Sequence, residues 1–394
     1  MRTAGRVARR MGGVALDVVD TGRRTYDFAR PLYGQDACVG HFERARLIGA
    51  AGTDELLLTL FRQMRTPDDE TIAATLVESK ALAGHLGEIG VLADPASFHV
   101  APNVPDLEWK SRAVAGRQFE HVTFRSPYHP PDSIPGATRY AEQTGNELAH
   151  AWVLRHSDPA PWVVCVHGAG MGDAIVDLAL FRAGTFHRNG FNVAITVLPH
   201  HGPRGAGRMQ LAFPSVDLVA NLHGASQAIA DVRAVLAYIA ARGERAALYG
   251  ISLGAYIAAG VAALEPSLAA VIVGIPVVVM ADLFQTHAAR QHAENEAYMG
   301  LYEHAHDLEA VTSPISLGLP ATSVRRIYAG RADRLVRPDQ VARLVEHWDL
   351  EEAHWYTGGH IGFMTTRSVR HWLGEALLDA GVARREKGQV VAEA

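Results

Sequence analysis

Cysteine is scarce: the chain has two in 394 residues, Cys38 and Cys165. Two thiols make neither a disulfide framework nor a zinc ligand set. A reducing, cytoplasmic setting is therefore expected. No apolar run reaches the roughly 18 residues a membrane span needs. An excess of positive charge is also missing. Lys and Arg number 37 against 42 Asp and Glu, a formal net charge of −5, which argues against nucleic acid as a partner. Repeats and low-complexity tracts are absent. What remains is 48% hydrophobic and 20% charged, enough for a sizeable core and too apolar for disorder to dominate.

The first residues, MRTAGRVARRMGGVALDVVD, look briefly like a leader, but Asp17 interrupts the short apolar stretch and no convincing small-x-small site follows. Val7, Met11, Val14 and Val18 instead form one stripe of a helix, with Arg2, Arg6, Arg9 and Arg10 at its start. Such a helix suits docking on its own protein. It also suits peripheral contact of residues 1–20 with an anionic membrane surface. Further on, DELLLTLFRQMR reads as helix. So does TPDDETIAATLVESKALAGHLGEIGVL, with Thr66 as cap and Pro67 in the first helical position. Residues 1–116 are thus expected to form a helical N-terminal extension.

Near residue 117 the texture changes. FEHVTFRSPY and NELAHAWVLRH are strand-like, and beyond residue 160 apolar runs alternate with helical segments. The strands read are 161–168, 191–199, 245–252, 269–279, 324–330 and 353–359; the helices are 172–189, 217–242, 253–264, 338–348 and about 364–384. Apolar strands without alternation, separated by helices, imply a mostly parallel sheet covered on both faces. Loops at the carboxyl ends of such strands form the site. Residues 281–318 break the alternation as a long mixed segment, expected as a helical lid, and 386–394 as a C-terminal tail.

The motif that carries chemistry is G-I-S-L-G, residues 250–254, where the run RAALYGIS gives way to the helical LGAYIAAGVAAL. G-x-S-x-G at a strand-to-helix transition is a nucleophile elbow: the glycines relieve crowding across the turn and leave the Ser252 hydroxyl exposed. A serine hydroxyl needs a base and a group that orients the base. Asp333, in YAGRADRLVRP, and His360, in YTGGHIGF, each follow a strand, in the chain order Ser, Asp, His. Asp282 follows another strand and is the rival orienter. The loop HGAGMGD, 167–173, offers backbone N–H groups to an oxyanion. The expected donors are Leu253 and Ala169, with Gly170 as second choice. Gly168-Ala-Gly170 begins a dinucleotide fingerprint, but position 173 is Asp173, not glycine. His201 and Arg204, with His200, either grip an anionic part of a substrate or tie down their Gly- and Pro-rich loop. His304 and His306, with His287 and His292, show no ligand spacing, so no metal is expected.

Together these elements resemble the α/β-hydrolase superfamily over about residues 117–385. The resemblance implies an eight-stranded, mostly parallel sheet and a cofactor-independent hydrolase of the esterase or lipase kind. Ser252 would be nucleophile, His360 base and Asp333 orienter, acting on a small-molecule acyl ester or lipid. Transfer of the acyl group to an acceptor other than water, and a non-catalytic binding protein that keeps the pocket, are the alternatives.

Overall fold

The computed structural model describes residues 21–30, 40–64, 69–114, 116–205, 213–286, 296–386 and 388–393. The expectations for residues 1–20, Cys38, Thr66, Pro67, His287 and His292 lie outside them.

Nine strands form the main sheet, not eight. They are β1 (Glu108–Val114), β2 (Arg117–Arg125), β3 (Leu148–Leu154), β4 (Trp162–Val166), β5 (Asn192–Val197), β6 (Ala246–Ile251), β7 (Ala270–Gly274), β8 (Arg325–Gly330) and β9 (His354–Tyr356). Their order is β1-β2-β3-β5-β4-β6-β7-β8-β9. The pairs β1/β2, β2/β3 and β3/β5 are antiparallel, and every pair from β5 to β9 is parallel. The ninth strand is β1, within the segment expected to be helical. It is an edge strand with mostly exposed side chains, so it has no buried face to impose an apolar period. The expected tail also has structure: Ala383–Glu386 (β10) and Gln389–Ala392 (β11) pair as a separate antiparallel hairpin.

Alternate strand residues feed two cores, one on each face. Val164 and Val166 of β4 and Leu248 of β6 join one cluster. Val163, Cys165, Tyr249 and Ile251 join the other. Cys165 is fully buried and behaves as a small core residue. The first face is covered by α7 (Leu218–Ala241) and α8 (Leu253–Leu264), helices of high apolar content. The second is covered by two short helices, α5 (Ala174–Leu180) and α6 (Ala183–Arg188), and by α12 (Arg367–Asp379).

The N-terminal helices are α1 (21–30), α2 (His41–Met64) and α3 (Asp69–Glu88), and the short α4 (Ala137–Ala141) lies between β2 and β3. The segment expected as a lid contains α9 (Met280–Thr286) and α10 (Glu296–Ala310). Helix α10 packs against α3 and α7. Its Tyr298, Leu301, Ala305 and Leu308 are buried in the first core cluster. That is the packing of a core helix, and it gives no support to a cover over Ser252. Between β8 and β9 lies α11 (Pro338–His347). No helix among the described residues is long and apolar enough to cross a membrane.

Candidate active site

Ser252 sits between β6 and α8 with φ 53° and ψ −118°, a region that side-chain-bearing residues avoid at a cost of roughly 1–3 kcal/mol. The surroundings impose this bend. A Cβ on Gly254 would fall 2.0 Å from the Val166 carbonyl oxygen, and one on Gly250 would fall 2.2 Å from the Gly254 carbonyl oxygen. The helix start can therefore close on the end of β4 only with glycine at both places. The Ser252 N–H donates to the Gly274 carbonyl at 2.9 Å, tying the turn to β7.

Two further loops converge here. His360 Nε2 lies 3.0 Å from Ser252 Oγ, and His360 Nδ1 lies 2.8 Å from Asp333 Oδ2. The second contact fixes the tautomer. An ionised carboxylate only accepts, so Nδ1 carries the proton and Nε2 is left to accept from the serine hydroxyl. Asp333 is held in turn, because its Oδ1 accepts the N–H groups of Leu335 and Val336, both at 2.9 Å. His360 and Asp333 are buried. Burial pulls the imidazolium down, but the charge and hydrogen bond of Asp333 and the charge of Asp54 more than offset it, leaving His360 above its ordinary range.

The loop after β4 lies against the serine: a Cβ on Gly168 would touch the Ser252 Cβ at 3.4 Å. His167 braces it. Its Nδ1–H donates to the Gly168 carbonyl at 2.8 Å, and its Nε2 accepts the Leu198 N–H at 3.1 Å. Burial pushes this imidazole down to about 4, so it is neutral. Farther along, Asp177 accepts the Gly172 N–H and the Trp152 indole N–H. Among the described residues, no backbone acceptor engages the Ala169, Gly170 or Leu253 N–H. Leu253 opens a twelve-residue helix, whose amino end favours negative charge.

Not every expected residue reaches the site. Arg204 is buried in a structural role. It donates to Asp231 at 2.7 Å and to the Val197 and Asn146 carbonyls at 3.0 Å each. His201 is buried too, with Nδ1 on the Pro199 carbonyl and its ring against His167. For these two the contacts are those of the second reading of the loop, anchoring of its Gly- and Pro-rich backbone. Asp282 pairs with Arg343 at 2.7 Å, while the partner of His360 Nδ1 is Asp333. The N–H groups at the start of α9 are accepted by Glu309 instead. No group of three or more His, Cys, Asp or Glu side chains among the described residues could hold a metal ion.

One residue at the site carried no sequence signal. Asp54 of α2, outside the sheet, places Oδ2 2.8 Å from the His360 N–H and 3.0 Å from the Arg334 N–H. It lies 280 or more positions from both partners, in DELLLTLF, which reads as ordinary helix.

The fold and this elbow define the class: the chain has the α/β-hydrolase fold. An acetyl xylan esterase from Paenibacillus sp. R4 superposes over 82% of this chain and 99% of its own, with a TM-score of 0.50 and 13% identity, a likeness of fold alone. No family model matches. The chain belongs to the family of the uncharacterized protein Rv2627c of Mycobacterium tuberculosis (strain ATCC 25618 / H37Rv). It is 38% identical to that protein over 345 residues, which cover 85% of this chain and 83% of the relative. The uncharacterized protein MT2702 of strain CDC 1551 / Oshkosh matches to the same extent.

Proposed function

We propose that the protein is a serine hydrolase that cleaves a carboxylic ester, or a related thioester, through an acyl-enzyme. The observation that carries this reading is the unbroken relay from Ser252 Oγ to His360 to Asp333, set at a strained elbow. Ser252 Oγ attacks the carbonyl carbon while His360 Nε2 takes its proton. The oxyanion is met by the N–H groups of Leu253 and Ala169. The bond to the leaving group then breaks, and His360 returns the proton to it. Water, deprotonated by the same imidazole, releases the acyl group and restores Ser252. The chemistry needs no cofactor.

The test is turnover of p-nitrophenyl esters from acetate to laurate by wild type and Ser252→Ala. Wild type is expected to hydrolyse part of the series, and the variant to lose on the order of 10⁶ in turnover. Hydrolysis retained by Ser252→Ala would contradict the proposal.

A further inference from the structure

The extension and the sheet meet at the loops that carry the base and its orienter. Leu47 and Ala51 of α2 pack on Ala332, next to Asp333, with Phe28 of α1 at the edge of the same cluster. Arg334 lies over the Phe28 ring and its Nε donates to Glu55 at 3.0 Å. On the other loop, Arg46 donates to the Thr357 carbonyl at 3.3 Å, and the Thr357 hydroxyl donates to Glu43 at 2.9 Å. Asp54 stands between. A single oxygen, Oδ2, accepts one N–H from each loop, while Oδ1 is buried without a hydrogen-bond partner among the described residues. Gly359 makes the approach possible, since a Cβ there would fall 2.6 Å from Asp54 Oδ2.

We propose that Asp54 is a positioning residue of the site: from a helix outside the sheet it locks the His360 backbone to the Asp333 loop and sets a second negative charge behind the imidazole. This rests on the hydrolase reading for its effect on turnover, but not for its effect on His360. Asp54 touches no reacting atom, so its influence passes through the imidazole. In the ionised form it favours the imidazolium that develops as Ser252 loses its proton, and it holds the Nε2–Oγ geometry.

The groups that face Asp54 are Asp333 and Arg334 from the loop after β8 and Tyr356 and His360 from β9 and its loop, while Glu55 on its own helix pairs with Arg334. Burial and then the Asp333 charge push the Asp54 carboxyl up to about 6, against the two N–H bonds and the His360 charge. The charges of Asp54 and His360 act on each other, though for each group burial and Asp333 weigh more.

The test compares full-length wild type with Asp54→Asn, a variant of the same shape that keeps an acceptor oxygen and loses the charge. The His360 ring is titrated by NMR, with kcat and KM for p-nitrophenyl acetate measured in parallel at each pH and thermal melts as the check on folding. The His360 ring is expected to titrate at lower pH in Asp54→Asn. At pH 7.5, kcat is expected to fall about tenfold or more, with KM within about twofold. A role in packing alone would lower the melt and leave the ring titration of the folded variant where it was. If Asp54→Asn fails to fold, Asp54→Ser, which also loses the charge, is titrated in its place: a His360 titration moved to lower pH supports the proposal and an unmoved one overturns it. An unchanged His360 titration in folded Asp54→Asn also overturns it. A wild type that hydrolyses no ester, while its His360 titration still moves on substitution, would remove the hydrolase reading and leave the positioning role standing.

Discussion

Ser252 occupies its strained backbone position because Gly250 and Gly254 let α8 close on β4, and the hydroxyl then meets an imidazole whose tautomer Asp333 has set. Asp333→Asn offers His360 an amide in place of a carboxylate and favours the wrong tautomer. It is expected to lower turnover by about 10³ to 10⁴, as the corresponding change does in the serine-protease template. Asp282→Asn removes only a half-exposed pair with Arg343, and less than about tenfold is expected on the same ester. Arg204 separates anchoring from substrate contact. Its side chain is fully buried on Asp231, and removing one partner of a buried pair costs about 3–5 kcal/mol. Arg204→Ala should therefore lower the melting temperature sharply, and KM measured on the folded fraction should stay near wild type. Ser252, Asp333 and His360 were legible in the sequence because each follows an apolar strand run, and the carboxyl ends of parallel strands share one edge. Asp54 was not legible. Its contact spans 306 positions to His360, and an acid near the middle of a helix looks the same whether it faces water or a backbone N–H.

At the level of elements, the strands that proved easiest to read were buried on both faces, where apolar content marks them without alternation. The antiparallel edge was harder. In EWKSRAV the largest apolar group, Trp109, packs on Tyr238 and lies under Arg155, an arrangement set by neighbours that are distant in sequence. The stretch at 172–189 reads as one helix and is two, broken at Arg182, which has φ 53°. For the segment 281–318, helix formation was legible and docking was not. Its described residues bury one face of α10 against the extension. Leu301 is 3% exposed, so Leu301→Ala is expected to cost about 2–5 kcal/mol in chemical unfolding. A loss under about 0.5 kcal/mol, the usual effect at a surface position, would instead mark α10 as a detachable flap.

Across the whole molecule, burial sets the pH dependence of stability through two opposed groups. Eight histidines, among them His99, His167 and His223, are held below their ordinary range chiefly by burial. Four carboxylates, Asp54, Asp177, Asp231 and Glu309, are held above theirs for the same reason. Between pH 4 and 6.5 the unfolded chain binds the extra protons at the histidines, which favours stability rising with pH. The folded chain binds them at the carboxylates, which favours the reverse. The histidines outnumber the acids, so the melting temperature is expected to climb from pH 5 to 6.5. Above that the histidine contribution is complete, while the carboxylates pushed up to about 7 continue to oppose ionisation. A flat or falling melting curve between pH 5 and 6.5 would contradict this balance of histidines over carboxylates.

The central claim is that Ser252 is a nucleophile activated by His360, and covalent capture reads it most directly. Wild type, Ser252→Ala and His360→Ala are each treated with a fluorophosphonate at pH 7.5 and followed by intact mass and peptide mapping. Wild type is expected to gain one adduct, mapped to Ser252. Ser252→Ala should gain none, and His360→Ala should react at least about a thousandfold more slowly. An unlabelled, folded wild type, or an adduct that persists in Ser252→Ala, would contradict the account.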